Sequence, residues 1–196
     1  GLTPGAHTVN ALYKNAAGDI VALSTFKIVI ADDDGAYATD YYSASDLVAA
    51  GAANATVTAV DGYAHVESTD AVGGKNDVKF SFTSDGYSDI VVIKYKTNSP
   101  GYGSNYDGYF LLNGAQFIGN RSKSDNWYEY IGDDGWHYLV LNLRRNKASN
   151  SAAANTDVVD GAAITTIDFV PFDYAGNKSG KNLADEYIDI AYVAFY

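Results

Sequence analysis

Short segments that alternate apolar and polar residues recur along this chain, each bounded by Gly, Asn or Asp. This rhythm is the strongest constraint on the fold, because successive side chains of a strand point to opposite faces. Strands are expected over residues 55–60, 63–68, 77–82, 89–96, 106–113, 127–131, 136–144, 163–170 and 187–195. A hairpin over residues 7–14 and 20–30, turned by residues 15–19, precedes them, and residues 43–50 suit one short helix. The pattern excludes βαβ units and predicts an all-β fold: a β-sandwich or jelly roll of antiparallel strands with an N-terminal β-hairpin. Residues 1–30 form the hairpin, as part of the fold or as the remnant of a preceding domain. Residues 31–196 form the sandwich, after a polar break at Asp32, Asp33 and Asp34. The polar, Ala-rich residues 146–160 read as a surface loop.

Composition narrows the partners. The 17 Tyr and 19 Gly, against 3 Pro, suit strands joined by tight turns. A formal net charge of −11 disfavours nucleic acid and anionic membrane surfaces, whereas a neutral polymer meets no such penalty. Without Cys there is no disulfide framework and no thiolate metal site. No apolar run reaches transmembrane length, so membrane insertion is not expected. The chain reads as a monomeric module excised from a larger secreted or cell-surface protein.

Alternation also assigns faces. Val91, Ile93 and Tyr95 share one face, and Lys94 and Lys96 take the other. Ile167 and Phe169 look inward, while Thr166 and Asp168 look outward. Phe80, Phe82, Ile90, Leu139, Leu141 and Leu143 complete the expected core.

The most informative stretch is Trp127-Tyr-Glu-Tyr-Ile131, Gly132-Asp-Asp-Gly135 and Trp136-His-Tyr-Leu-Val-Leu-Asn-Leu143. Read as two strands around a two- or four-residue loop, it pairs Ile131 with Trp136, Glu129 with Tyr138 and Trp127 with Val140. That register gathers Trp127, Glu129, Trp136, Tyr138 and Asn142 on one face and leaves Leu139, Leu141 and Leu143 to the core. Aromatic rings stack on the C–H face of a sugar, and carboxylates, amides and guanidinium groups bond its hydroxyls, so the first face suits carbohydrate. Trp127 follows the wholly polar residues 121–126, which fits exposure, and Arg121 and Asn126 there would add polar contacts. Trp136, at a strand start behind a Gly turn, also fits a plug packed under a loop. A slip of one residue would exchange the faces. Tyr102 and Tyr106, in the polar stretch 98–107, form a second aromatic candidate; a plain solvated connection is the alternative.

Motifs for catalysis are missing from the sequence. His7, His65 and His137 lack zinc spacing, and no Gly-x-Ser-x-Gly elbow occurs. The expectation is a protein that is not an enzyme and needs no cofactor. Asp189 lies inside an apolar strand and requires a partner, and Asp40 closes an acidic cluster. A structural calcium at Asp189 or Asp40 is one answer, and a hydrogen bond from a turn or sheet edge is another.

Two groups of residues resemble known proteins. Gly5-Ala-His-Thr-Val9, with Gly18-Asp-Ile-Val-Ala-Leu23 and Phe26, resembles a hairpin of large surface proteins of Gram-positive gut bacteria. Asp89-Ile-Val-Val-Ile-Lys-Tyr-Lys96, Gly135-Trp-His137, Ile167-Asp-Phe-Val-Pro-Phe172 and Tyr187-Ile-Asp-Ile-Ala-Tyr-Val-Ala-Phe195 resemble carbohydrate-binding β-sandwich modules attached to polysaccharide-degrading enzymes of such bacteria. The resemblance runs from about residue 77 to the end. It implies a starch-binding protein of the amylosome, a cell-surface complex that captures resistant starch, with an α-1,4-glucan as ligand and Gly135-Trp-His137 as framework. The expected function is therefore non-catalytic polysaccharide binding at the bacterial surface. A structural spacer or protein-adhesion domain is the alternative.

Overall fold

The computed structural model describes residues 2–30, 35–69, 78–98, 107–114, 116–118, 127–143, 163–172 and 187–196. In chain order its elements are β1 (Gly5–Lys14), β2 (Ile20–Ile30), β3 (Asp40–Ser43), α1 (Ala44–Ala50), β4 (Ala55–Val60), β5 (Tyr63–Ser68) and β6 (Val78–Gly86). There follow β7 (Ile90–Thr97), β8 (Asp107–Leu112), β9 (Gln116–Ile118), β10 (Trp127–Ile131), β11 (His137–Asn142), β12 (Ile164–Phe172) and β13 (Tyr187–Phe195). Every described pairing is antiparallel. The fold is all-β, as the alternation predicts. The expected stretch 146–160 lies outside the described residues, as do Asp32, Asp33 and Asp34.

Two sheets face each other across one core. The larger has seven strands in the order β10-β11-β7-β13-β5-β4, with β3 also on β13; the smaller runs β6-β12-β8-β9. Between them lie Val91, Ile93, Tyr95, Leu139, Leu141, Ile188, Ile190 and Phe195 from the first sheet, and Phe80, Phe82, Phe110, Leu112, Ile167 and Phe169 from the second. Each such side chain contributes about 1.5–3 kcal/mol on leaving water. Tyr42 helps tie the sheets at one edge: its ring lies 5.0 Å from Phe82 and its hydroxyl donates to Thr83 O at 2.8 Å.

The helix is short but well started. Ser43 Oγ accepts from Asp46 N, and Asp46 Oδ2 accepts from Ser43 N at 2.9 Å, a reciprocal capping box. Leu47 then drops into the core. The opening hairpin β1–β2 forms a sheet of its own, with Asn15 Oδ1 accepting from Ala17 N and Asp19 N across its turn.

The alternation is not uniform in β7. Ile90 and Val92 point away from the main core, yet they are buried against Val140, Tyr192, Ala194 and Tyr196. Ala38 and Tyr41 pack on this second cluster and cover that end of the outer face. Ile90, expected in the core, is thus buried on the opposite side of the sheet from Val91 and Ile93.

Candidate functional site

The loop between β10 and β11 decides what shares the outer face. Gly132 N donates to Trp136 O at 2.8 Å, and Gly135 N donates to Gly132 O at 2.9 Å. Gly135 has φ +76°, a left-handed conformation that glycine adopts without strain. This is a three-residue hairpin loop, a turn closed by a left-handed glycine. Its odd length shifts the expected pairing by one residue: Ile131 pairs with His137, Glu129 with Leu139 and Trp127 with Leu141. The expected register is therefore corrected, and β10 exchanges its faces. Glu129 and position 127 belong with the leucines, whereas Trp136, Tyr138 and Asn142 keep the outer face.

Glu129 shows the consequence. Its side chain is only 13% exposed; Tyr95 OH donates to its Oε1 at 2.6 Å, and His137 Nδ1 makes a very short contact to the same oxygen. It locks β10, β11 and β7 together on the core side and stands apart from Tyr138. The backbone of Trp127 is in β10, but its side chain lies outside the described residues. Arg121, Asn126, Tyr102 and Tyr106 also lie outside them.

The outer face carries a different chemistry. Neighbouring strands bring Trp136 and Tyr138, Lys94 and Lys96, Asp189 and Tyr192, and Tyr63 and His65 onto one surface. The Tyr63 and Trp136 rings meet edge-on at 5.8 Å, spanning the strands between them. Lys96 Nζ lies 4.6 Å from the centre of the Trp136 ring, and Lys94 Nζ lies 5.3 Å from that of Tyr138. Each such contact contributes roughly 0.5–1 kcal/mol. A Cβ on Gly132 would stand 2.9 Å from Tyr138 Cε2, so the bare glycine lets that ring lie over the turn.

Beside this group opens a pocket of about 500 Å³ lined by Tyr41, Ser43, Ser45, Val60, Tyr63, Lys94 and Tyr192. Its origin is a fault in the sheet. Along β13, β5 is the neighbour as far as Ile190, and β3 takes over at Tyr192. Against β7 the register shifts between the same two residues, leaving Ala191 as a bulge. The gap between β5 and β3 is the pocket; the capped start of α1 forms one wall and the β4–β5 turn the other. Bulges of this kind re-aim side chains next to binding sites.

Charges on this face are mutually engaged. Lys94, 8% exposed, has Nζ 3.2 Å from Asp134 Oδ2. Asp134 is held below the usual carboxylate range, chiefly by the Trp136 N–H and further by Lys94. His65 Nδ1 donates to Asp189 Oδ1 at 2.6 Å, and its Nε2 lies 3.4 Å from Glu67. Burial alone would lower the imidazole pKa, but the hydrogen bonds and charges of Asp189 and Glu67 outweigh it and raise it above 6.5. The partner that Asp189 requires is therefore His65. Asp40 accepts from Asp85 N at 3.0 Å, at the far end of β13 from Asp189. Among the described residues, no group of three or more His, Asp or Glu could hold a metal ion.

Tyr41, Tyr63, Lys94 and Tyr192 are the site residues that the sequence reading misses. The outward phase of Lys94 and Lys96 was legible; the meeting of β3, β5 and β13 rests on pairings far apart in the chain. Comparison with family profiles, curated proteins and solved structures finds no match. Among the described residues, no helix is long and apolar enough to cross a membrane.

Proposed function

We propose that this protein is a non-catalytic polysaccharide-binding module of a cell-surface or secreted system, and that its ligand is starch or another α-1,4-glucan. The observation that carries the reading is the pocket of about 500 Å³ in the outer face, walled by tyrosines with Ser43, Ser45 and Lys94 as polar partners and flanked by Trp136. Sugar sites need this mixture: rings for the C–H faces, and a few placed donors and acceptors for the hydroxyls. Glu129 lies on the core face of the sheet and Asp189 on the outer face, so these two carboxylates do not face each other across a common cleft. The α-glucan identity rests on the resemblance in the sequence.

The test is retention on insoluble starch, cellulose, xylan and mannan by the wild type and by Trp136→Ala and Tyr63→Ala. Retention on starch is expected, with loss in both variants at unchanged secondary structure. Failure to bind any of the polymers would contradict the reading. A spacer or protein-adhesion role would then gain weight from the β1–β2 hairpin, whose Leu12 and Ile20 are 56% and 72% exposed.

A further inference from the structure

Resting on the polysaccharide reading, we propose that Lys96 is a movable cover on the Trp136 ring: it alternates between that ring and Asp189, and the proton on His65 sets the balance. The glycan affinity of the site is thereby tied to pH.

One row of the outer face holds all four groups. Trp136 and Lys96 each lie one position beyond the His137–Tyr95 pair, Lys96 is paired with Asp189, and Asp189 with His65. Lys96 therefore stands between Trp136 and Asp189. Directly paired residues share a side of the sheet, with Cβ atoms about 4.5–5.5 Å apart. The flexible four-carbon stem of a lysine lets its ammonium turn to either neighbour. Here it turns to the ring, with Nζ 4.6 Å from the ring centre. Among the described residues Lys96 makes no ion pair, and its side chain is half-buried. Lys94 is the contrast: it is 8% exposed and held by Asp134 at 3.2 Å.

His65 decides how much charge Asp189 offers. Its Nδ1 donates to Asp189 Oδ1 at 2.6 Å, and its Nε2 lies 3.4 Å from Glu67 on the same strand. From β13 the Tyr187 ring packs on the imidazole at 5.1 Å, and Thr58, opposite on β4, carries no charge. An imidazolium matches the charge of Asp189 and leaves little for Lys96. A neutral His65 still donates from Nδ1 but leaves that charge unmatched, and Lys96 is drawn across. A cation over an exposed ring and an exposed ion pair are both weak contacts of similar size, so one charge tips the balance. On the ring, Lys96 occupies a face on which a sugar would stack; on Asp189, it releases that face. The pKa of His65 is raised, so the change falls above pH 6.5.

The experiment titrates the wild type, Lys96→Ala and His65→Gln with soluble starch at about pH 5.5 and about pH 8.5. Wild-type affinity is expected to rise two- to fivefold, roughly the strength of one exposed cation–ring contact, between the two pH values. Both variants should bind equally at the two pH values, at the level of the wild type at the higher pH. A wild-type affinity that ignores pH would overturn the cover and leave the pocket reading standing. Weaker binding by Lys96→Ala at both pH values would also overturn it, because Lys96 would then be a donor to the sugar. A second readout needs no sugar: the emission of Trp136, followed against pH in Trp127→Phe. A step that Lys96→Ala and His65→Gln each abolish supports the exchange, and a flat profile contradicts it. If that step is present while starch fails to bind at either pH, the polysaccharide reading falls and the exchange of Lys96 stands.

Discussion

The two faces of the seven-stranded sheet are built from the same strands and do opposite work. On β7, Val91, Ile93 and Tyr95 enter the sandwich, while Lys94 and Lys96, one position away, meet Trp136 and Tyr138 on the other side. The inner face is packed against the second sheet. The outer face is apolar at one end, under Ala38 and Tyr41, and aromatic and charged at the other. Alternation makes this division possible, and the sheet fault at Ala191 turns the outer half from a surface into a pocket.

The comparison predicts that stability and ligand binding separate by face. The largest stability effect belongs to Ile93→Ala, which empties a fully enclosed site and is expected to cost about 2–5 kcal/mol in denaturant unfolding. Starch affinity of the fraction that stays folded should not change. Next comes Glu129→Ala, which strips the acceptor from Tyr95 and His137 and is expected to cost about 1–3 kcal/mol. It too should leave starch binding intact; a selective loss of binding would return Glu129 to the ligand face.

The smallest effect concerns pH. The raised pKa of His65 means that its pairing with Asp189 and Glu67 stabilises the fold fully below the unfolded imidazole value of 6.5, and that this contribution fades as pH rises through the higher folded value. Melting temperatures followed from about pH 5 to about pH 9 should show a decline on the alkaline side that His65→Gln flattens. Parallel curves for the two proteins would remove the pair from the account.

Local pattern told much of this in advance. β2, β4, β5, β10 and β13 have the expected bounds, and Phe80, Phe82, Leu139, Leu141, Leu143, Ile167 and Phe169 are core residues as their phase requires. The failures are non-local or turn on parity. Asp-Asp-Gly135 between β10 and β11 makes an odd loop, and one residue of loop length moved Glu129 to the other side of the sheet. β3 is four residues of a polar, Tyr-containing connection that become a strand only because β13 extends past the end of β5 and offers a free edge. The pocket arises where those two strands meet, and no window of the sequence contains it.

The most direct test uses the two tryptophans of the chain. Trp136 lies beside the pocket on the outer face, and the backbone pairing of Trp127 is with Leu141 of the core face. Single-tryptophan variants, Trp127→Phe and Trp136→Phe, would be titrated with soluble starch while their fluorescence is followed. A saturable change in Trp127→Phe, with none in Trp136→Phe, is the predicted result. A starch-dependent signal that survives only in Trp136→Phe would place the sugar beside Trp127 and contradict the assignment of the site to the outer face.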